Sequence, residues 1–252
     1  LAAISGAQGI DAHYLMRGQA WWRYALSEAG AEIIHEALRD VGVTPVFGSG
    51  VDRFVLDDDG RVEATIDSNG ERYESEFAGV AIGLDFNTEI LQGSGLELDD
   101  GIVVDEYMQS SDPDVFAAGD ITQFYDSILG ERAQNGAWGS AKEQGTIAAR
   151  NMVDDGSDPF RWVSTYSITH FDFPFLSFGH PTLGDDDAER KYSDTEWRRI
   201  AFKDGRICGG VLIGDLAPQS AYKKLMREER VVADQKEALL RKTVDLDELD
   251  AP

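Results

Sequence analysis

The sequence predicts an α/β chain, and three features carry that prediction. Two short apolar runs end in glycine, Val80-Ala81-Ile82-Gly83 and Val115-Phe116-Ala117-Ala118-Gly119, the pattern of buried strands that stop where the backbone must come close to something. Ala29, Ile33, Ala37, Leu38 and Val41 recur at helical spacing behind Ser27, and Gly42 stands where a C-cap belongs. Beyond residue 160 aromatic strands separated by turns give way to two helices, an α+β pattern.

Taken in order, residues 1–4 read as the inside of a helix and residues 12–16 as a strand. The stretch Ser5-Gly6-Ala7-Gln8-Gly9 lacks the G-x-G-x-x-G spacing and precedes a strand instead of opening a helix. The chain is therefore expected to be the C-terminal piece of a longer protein. Trp21, Trp22 and Tyr24 join strand to helix and are expected to bury against a neighbouring domain. Residues 27–41 form the core-facing helix and 43–47 a short strand. Residues 53–56, 60–66 and 70–77 follow as antiparallel strands, with turns at Asp57-Asp58-Asp59-Gly60 and Asn69-Gly70. Strands are then expected at 80–83, 101–105 and 115–118, the last two joined by a loop over 107–114. A helix starts near Asn135. After the linker at 154–159, strands are expected at 166–171, 175–178, 197–203 and 206–213, the last two forming a hairpin over Lys203-Asp204-Gly205-Arg206. Residues 217–227 and 232–241 read as helices.

Composition bounds the function. A net charge of -24 on 252 residues describes a surface covered with carboxylates. Such a surface opposes the compact state at low salt, whereas about 1 M salt screens it within about 3 Å. That is the pattern of a halophilic cytoplasmic protein. Nucleic acid is excluded as a partner, since phosphate neutralisation needs clustered Lys and Arg. No apolar run reaches the roughly 18 residues a membrane helix requires. The single cysteine, Cys208, sits inside an apolar run and reads as a small buried hydrophobe, so neither a disulfide framework nor a C-x-x-C pair is available.

The most specific stretch is Val115-Phe116-Ala117-Ala118-Gly119-Asp120-Ile121. Gly119 lets a ligand approach the backbone, and Asp120 presents a carboxylate to a sugar-like hydroxyl. Upstream stand Gly83, Asn87-Thr88, Gly95-Leu96 and Val104-Asp105, and downstream Trp138, Ala141, Gln144, Gly145, Ala148, Ala149, Asn151 and Met152. In this order and spacing the landmarks resemble those of the FAD-dependent pyridine nucleotide (disulfide) oxidoreductases, in particular the NADH-dependent nitrite, rubredoxin and ferredoxin reductases. The usual Pro of the Pro-Asn-Thr landmark is Phe86 here.

The resemblance implies the remainder of two dinucleotide-binding, Rossmann-like domains plus a C-terminal α+β interface domain. Residues 1–84 would be an N-terminally truncated NAD(P)-binding domain, 85–153 the second segment of the FAD-binding domain, and 160–252 a dimerisation domain. It further implies that Gly119 and Asp120 contact FAD, that Asn135, Gly136, Ala137 and Trp138 form the helix terminus near the flavin ring, and that Gly83 belongs to the cofactor crevice. The position ending the second strand, where an acidic residue holds the ribose of NAD, is Met16, followed by Arg17. This leans towards NADPH, although Arg at this place also occurs in NADH-using relatives. The implied activity is hydride transfer from NAD(P)H to FAD, with electrons passed to a small-molecule or redox-protein acceptor by a homodimer. No metal spacing is present, and the Asp-rich clusters lack the EF-hand pattern. His170 and His180 flank a Phe-rich run and read as structural. The alternative is an acidic interaction protein that keeps the fold and binds no cofactor.

Overall fold

The computed structural model describes residues 8–126, 129–153, 158–168 and 173–250. The helix expected at 1–4, His170 and Phe171 lie outside the described residues. The chain divides into two compact units, one of residues 1–83, 168–174 and 191–197, the other of residues 84–167, 175–190 and 198–252.

In the first unit, strand β1 (Ala12–Met16) runs parallel to β2 (Val43–Phe47), with Ala12 opposite Val43 and Met16 opposite Phe47. Parallel neighbours need a crossover, and helix α1 (Glu28–Asp40) supplies it. Ser27 caps its start, its Oγ accepting from Gly30 N at 3.4 Å. The end differs by one residue from expectation: Val41 is the cap, and Gly42 follows with φ +79, the left-handed position glycine tolerates. The buried face carries Ala31, Ile33, Ile34, His35 and Leu38. Strands β3 (Val51–Leu56), β4 (Val62–Asp67) and β5 (Arg72–Glu74) make the expected antiparallel meander. Both turns repeat one device. Asp57 Oδ1 accepts from Asp59 N and Arg61 N at 2.9 and 2.8 Å, and Asp67 Oδ1 accepts from Asn69 N and Glu71 N at 2.9 Å each. Trp21 and Trp22 are half-buried with their rings edge to face, and Tyr24 is exposed.

The strand expected at 80–83 does not form. A strand exists only through a hydrogen-bonded neighbour, and no described segment pairs with these residues, so Val80 and Ile82 stand 59% and 82% exposed in irregular backbone.

The second unit begins with β6 (Ile102–Val104), parallel to β7 (Thr122–Asp126), which turns back into antiparallel β8 (Glu131–Ala133). The expected strand at 115–118 is thus corrected: β6 pairs with the residues after Gly119-Asp120, not with those before them. The backbone of 115–117 is already committed to its own loop, where Ser110 N donates to Val115 O and Ala117 N donates to Met108 O. Helix α2 (Trp138–Asn151) packs Ile147 and Ala148 into a core with Ile102, Val104, Met108, Phe124, Phe160 and Cys208. Asn151 closes that layer, donating to Tyr107 O and Asp158 O and accepting from Asp158 N.

A five-stranded sheet follows in the order β11-β12-β13-β10-β9, built from β9 (Thr165–Ile168), β10 (Phe175–Gly179), β11 (Asp186–Ser193), β12 (Glu196–Lys203) and β13 (Arg206–Ile213). The β12–β13 hairpin turns at Asp204 and Gly205, φ +51 and +76, as expected of a two-residue loop. The edge strand β11 was not expected. Its acidic run was read as surface, and it is both, because an edge strand with an exposed face needs no apolar pattern. Helix α3 (Gln219–Arg227) and the short α4 (Lys236–Leu239) cover the sheet with Tyr222, Leu225, Met226 and Leu239. The second helix was expected to be longer. Here residues 233–235 form a 3-10 turn first.

Candidate cofactor site

The candidate site lies in the second unit, where the loop before β7 meets the start of α2. Gly119 takes φ +97 and a Cβ there would meet nothing within 4 Å. Glycine is therefore required by backbone conformation, and the space beside it is open. The turn is held from both sides. Thr122 N donates to Gly119 O at 3.0 Å, and Thr122 Oγ1 lies 2.8 Å from the same carbonyl. Gly119 N donates to Gln144 Oε1 at 2.7 Å, and Thr122 Oγ1 is 3.0 Å from that oxygen. Gln144 is fully buried, two turns inside α2.

Asp120, next in the chain, is half-buried, and its carboxylate makes no hydrogen bond or ion pair among the described residues. Its Oδ2 lies 3.8 Å from where a Cβ of Gly136 would stand, an ordinary van der Waals distance that places the carboxylate beside the approach to α2. Asn135 Oδ1 accepts from Ala137 N at 2.9 Å, turning the chain into α2. Ala137 is the N-cap and offers no side-chain hydrogen bond, and no acid occupies the first turn, so the leading N–H groups keep their donor capacity. Trp138 opens the helix fully exposed, with Lys142 Nζ 5.9 Å from its ring centroid. On the inner face, Ser140 Oγ and Gln144 Nε2 are buried without a protein partner among the described residues. An acceptor carboxylate, uncapped helix donors and a glycine turn with open space fit a ligand that carries both hydroxyls and anionic oxygens, as FAD does.

Of the residues expected to hold cofactor, Gly119, Asp120, Asn135, Gly136, Ala137 and Trp138 meet around this one turn. Gly83 and Arg17 belong to the first unit. Gly83 is exposed with φ +112, and Arg17 is exposed directly after β1. Gln144 was seen only as a landmark of the helix, and its grip on Gly119 was missed. The signal was a long amide in the middle of a helix face otherwise made of small residues, Ile147 and the terminal Asn151. Also missed was the pair His180 Nε2 to Asp126 Oδ2, 2.9 Å apart and nearly buried, which joins the end of β10 to the end of β7. Cys208 is the inert hydrophobe expected, its thiol pushed up to about 11 by burial. No cluster of metal-binding side chains occurs among the described residues, and no helix there is long and apolar enough to cross a membrane.

A parallel β-α-β unit, an antiparallel meander and a second parallel pair whose second strand follows a glycine turn define a dinucleotide-binding reductase fold, and residues 1–145 match the pyridine nucleotide-disulphide oxidoreductases. The chain belongs to that family, whose members use FAD and NAD(P)H. It is 28% identical over 203 residues to pyridine nucleotide-disulfide oxidoreductase domain-containing protein 1 of Pongo abelii, covering 72% of this chain and 39% of that protein. Putidaredoxin reductase in its covalent complex with putidaredoxin superposes with a TM-score of 0.88 at 20% identity, over 99% of this chain and 60% of that one. An engineered water-forming NADPH oxidase bound to NADPH, derived from the Lactobacillus brevis enzyme, superposes at 0.78 and 21%, over 98% of this chain and 59% of that one. The chain spans less than two thirds of the length of each.

Proposed function

We propose that this chain contributes the NAD(P)H-binding segment and the second FAD-binding segment of an FAD-dependent NAD(P)H oxidoreductase that delivers electrons to a redox-protein or small-molecule acceptor. FAD, when bound, supplies the chemistry by taking a hydride from NAD(P)H and handing on its electrons. The residues of this chain position it. Asp120 accepts from a ribityl hydroxyl, Gln144 keeps the Gly119 turn open, and the uncapped start of α2 offers N–H donors to an anionic oxygen. Residues 160–252 serve as an interface between two copies, and the charge of -24 suits work in concentrated salt.

The observation that carries this reading is the carboxylate of Asp120, without a partner among the described residues, beside the left-handed Gly119. For the nicotinamide cofactor, the engineered NADPH oxidase carries an aspartate changed to alanine, an arginine introduced at the next position and another six positions later. Met16, Arg17 and Arg23 have that spacing here, which supports NADPH.

The test is to purify the full-length protein in concentrated salt and record its visible spectrum. Bound flavin absorbance with a one-to-one FAD content is expected, and Asp120→Ala should lose most of it. A native full-length protein that carries no flavin and takes up none when FAD is added would overturn the proposal.

A further inference from the structure

Asparagine followed by glycine occurs twice in the chain, at Asn69-Gly70 and at Asn135-Gly136. Such a pair is open to spontaneous deamidation, because a glycine nitrogen has no adjacent side chain to keep it from the asparagine's own side-chain amide. Both glycines are exposed, so access to water does not separate the two sites. Their hydrogen bonds do.

In the β4–β5 turn the nitrogen that would have to react is already engaged. Gly70 N donates to Asp67 O at 3.0 Å and Asn69 N to Asp67 Oδ1 at 2.9 Å, with Gly70 at φ +86. Asp67 is itself buried and accepts from Ser49 Oγ at 2.6 Å and Glu71 N at 2.9 Å, so the turn is anchored. Ahead of α2 the pattern is reversed. Neither Gly136 N nor Asn135 Nδ2 makes a hydrogen bond among the described residues. Asn135 Oδ1, by contrast, accepts from Ala137 N at 2.9 Å, which folds the side chain back along the Asn135-Gly136 peptide. The attacking nitrogen and the leaving amide are thus unbound, and the oxygen that gains negative charge during attack already has an N–H donor.

We infer that Asn135 is a site of spontaneous deamidation in the folded protein and that the fold protects Asn69. The Gly136 nitrogen gives its proton to solvent base and bonds to Asn135 Cγ. The Cγ–Nδ2 bond breaks, and Nδ2 takes a proton from solvent and leaves as ammonia. Water then opens the five-membered imide at one of its two carbonyls, so position 135 ends as aspartate or isoaspartate. One amide and one water become one carboxylic acid and one ammonia, and nothing is oxidised or reduced. The product adds a negative charge to the turn that holds Asp120, whose Oδ2 stands 3.8 Å from the Cβ position of Gly136. Isoaspartate also lengthens the main chain just before α2. Both changes disfavour a ligand with anionic oxygens. That consequence rests on the FAD reading proposed above, whereas the modification itself does not.

The test ages the full-length protein in mildly alkaline buffer, native or unfolded in urea, and follows conversion of amide to acid by mass in the tryptic peptides 62–72 and 133–142. In the native protein Asn135 is expected to convert about tenfold faster than Asn69, the factor set by the one backbone hydrogen bond that Gly70 N must first break. In urea the two rates should approach each other. Equal rates in the native protein, faster conversion at Asn69, or the same preference in urea would each overturn the inference. Saturation with FAD should slow conversion at Asn135 alone, and FAD content should fall in the aged protein and in Asn135→Asp. If Asn135 converts first while FAD neither slows it nor is lost with it, the modification site stands and the FAD reading of this turn is overturned.

Discussion

Gln144 and Gly119 lie 25 positions apart and are joined by a 2.7 Å hydrogen bond from the glycine N–H to the buried amide oxygen. The bond links the core of α2 to the turn that presents Asp120. It makes the carboxylate's position a property of the helix packing, not of the loop alone.

Gln144→Leu removes the acceptor for Gly119 N and leaves that donor in a half-buried turn. We expect a stability loss of about 1–3 kcal/mol, read as a lower urea midpoint, together with weaker FAD retention in the full-length protein. Gln144→Glu keeps an acceptor oxygen and should recover part of the FAD retention. Equal FAD retention in the leucine variant and the native protein would show that the helix does not set the turn.

Gly30 faces Trp197, and a Cβ at that position would sit 2.9 Å from the indole ring. Gly30→Ala should therefore destabilise by about 1–3 kcal/mol, although alanine is the better helix former. Calorimetric melting decides it, and a rise in melting temperature would contradict the close contact.

Cys208 titrates from an ordinary value of 9.0 up to about 11 when folded, because burial disfavours the thiolate. The folded state thus holds its proton to higher pH than the unfolded chain. Its contribution is complete below about pH 9 and disappears as pH rises to about 11, a loss of at most about 3 kcal/mol. Denaturation midpoints of the native protein should fall more steeply over that window than those of Cys208→Ala. Parallel pH profiles would count against the burial effect. In the native protein at pH 8, the thiol should also resist iodoacetamide until urea unfolds it.

Asp67 accepts from Ser49 Oγ at 2.6 Å and from two backbone N–H groups, and these bonds hold its carboxyl below the ordinary 3.8, the Ser49 hydroxyl foremost. A depressed carboxylate stabilises above its unfolded value and loses that contribution as pH falls through the folded one. Acid unfolding followed by circular dichroism should begin at higher pH in Ser49→Ala than in the native chain. An unchanged acid midpoint would show that the hydroxyl does not matter to Asp67.

Most of the fold was legible because its signals are local. The spacing of Ile33, Leu38 and their neighbours, the turns at Asp57-Asp58-Asp59-Gly60 and Asn69-Gly70 and the Lys203-Asp204-Gly205-Arg206 hairpin each act within a few residues, and each appears where it was read. The Val115 to Ile121 motif marked Gly119, which does take a left-handed turn, but pointed to the wrong strand. Apolar content could not reveal that residues 115–117 bond back to 108–110, leaving 122–126 to pair with β6. The same limit explains Val80 to Gly83, whose apolar run lacks a neighbouring strand.

By itself the sequence determined the class of protein and singled out Gly119 and Asp120 as a candidate cofactor turn, because residue type and spacing carry those. Only the tertiary structure decided that Gln144 holds Gly119 and that Asp126 meets His180. Such pairings depend on which distant backbones come within about 3 Å of one another, and no periodicity along the chain encodes that distance.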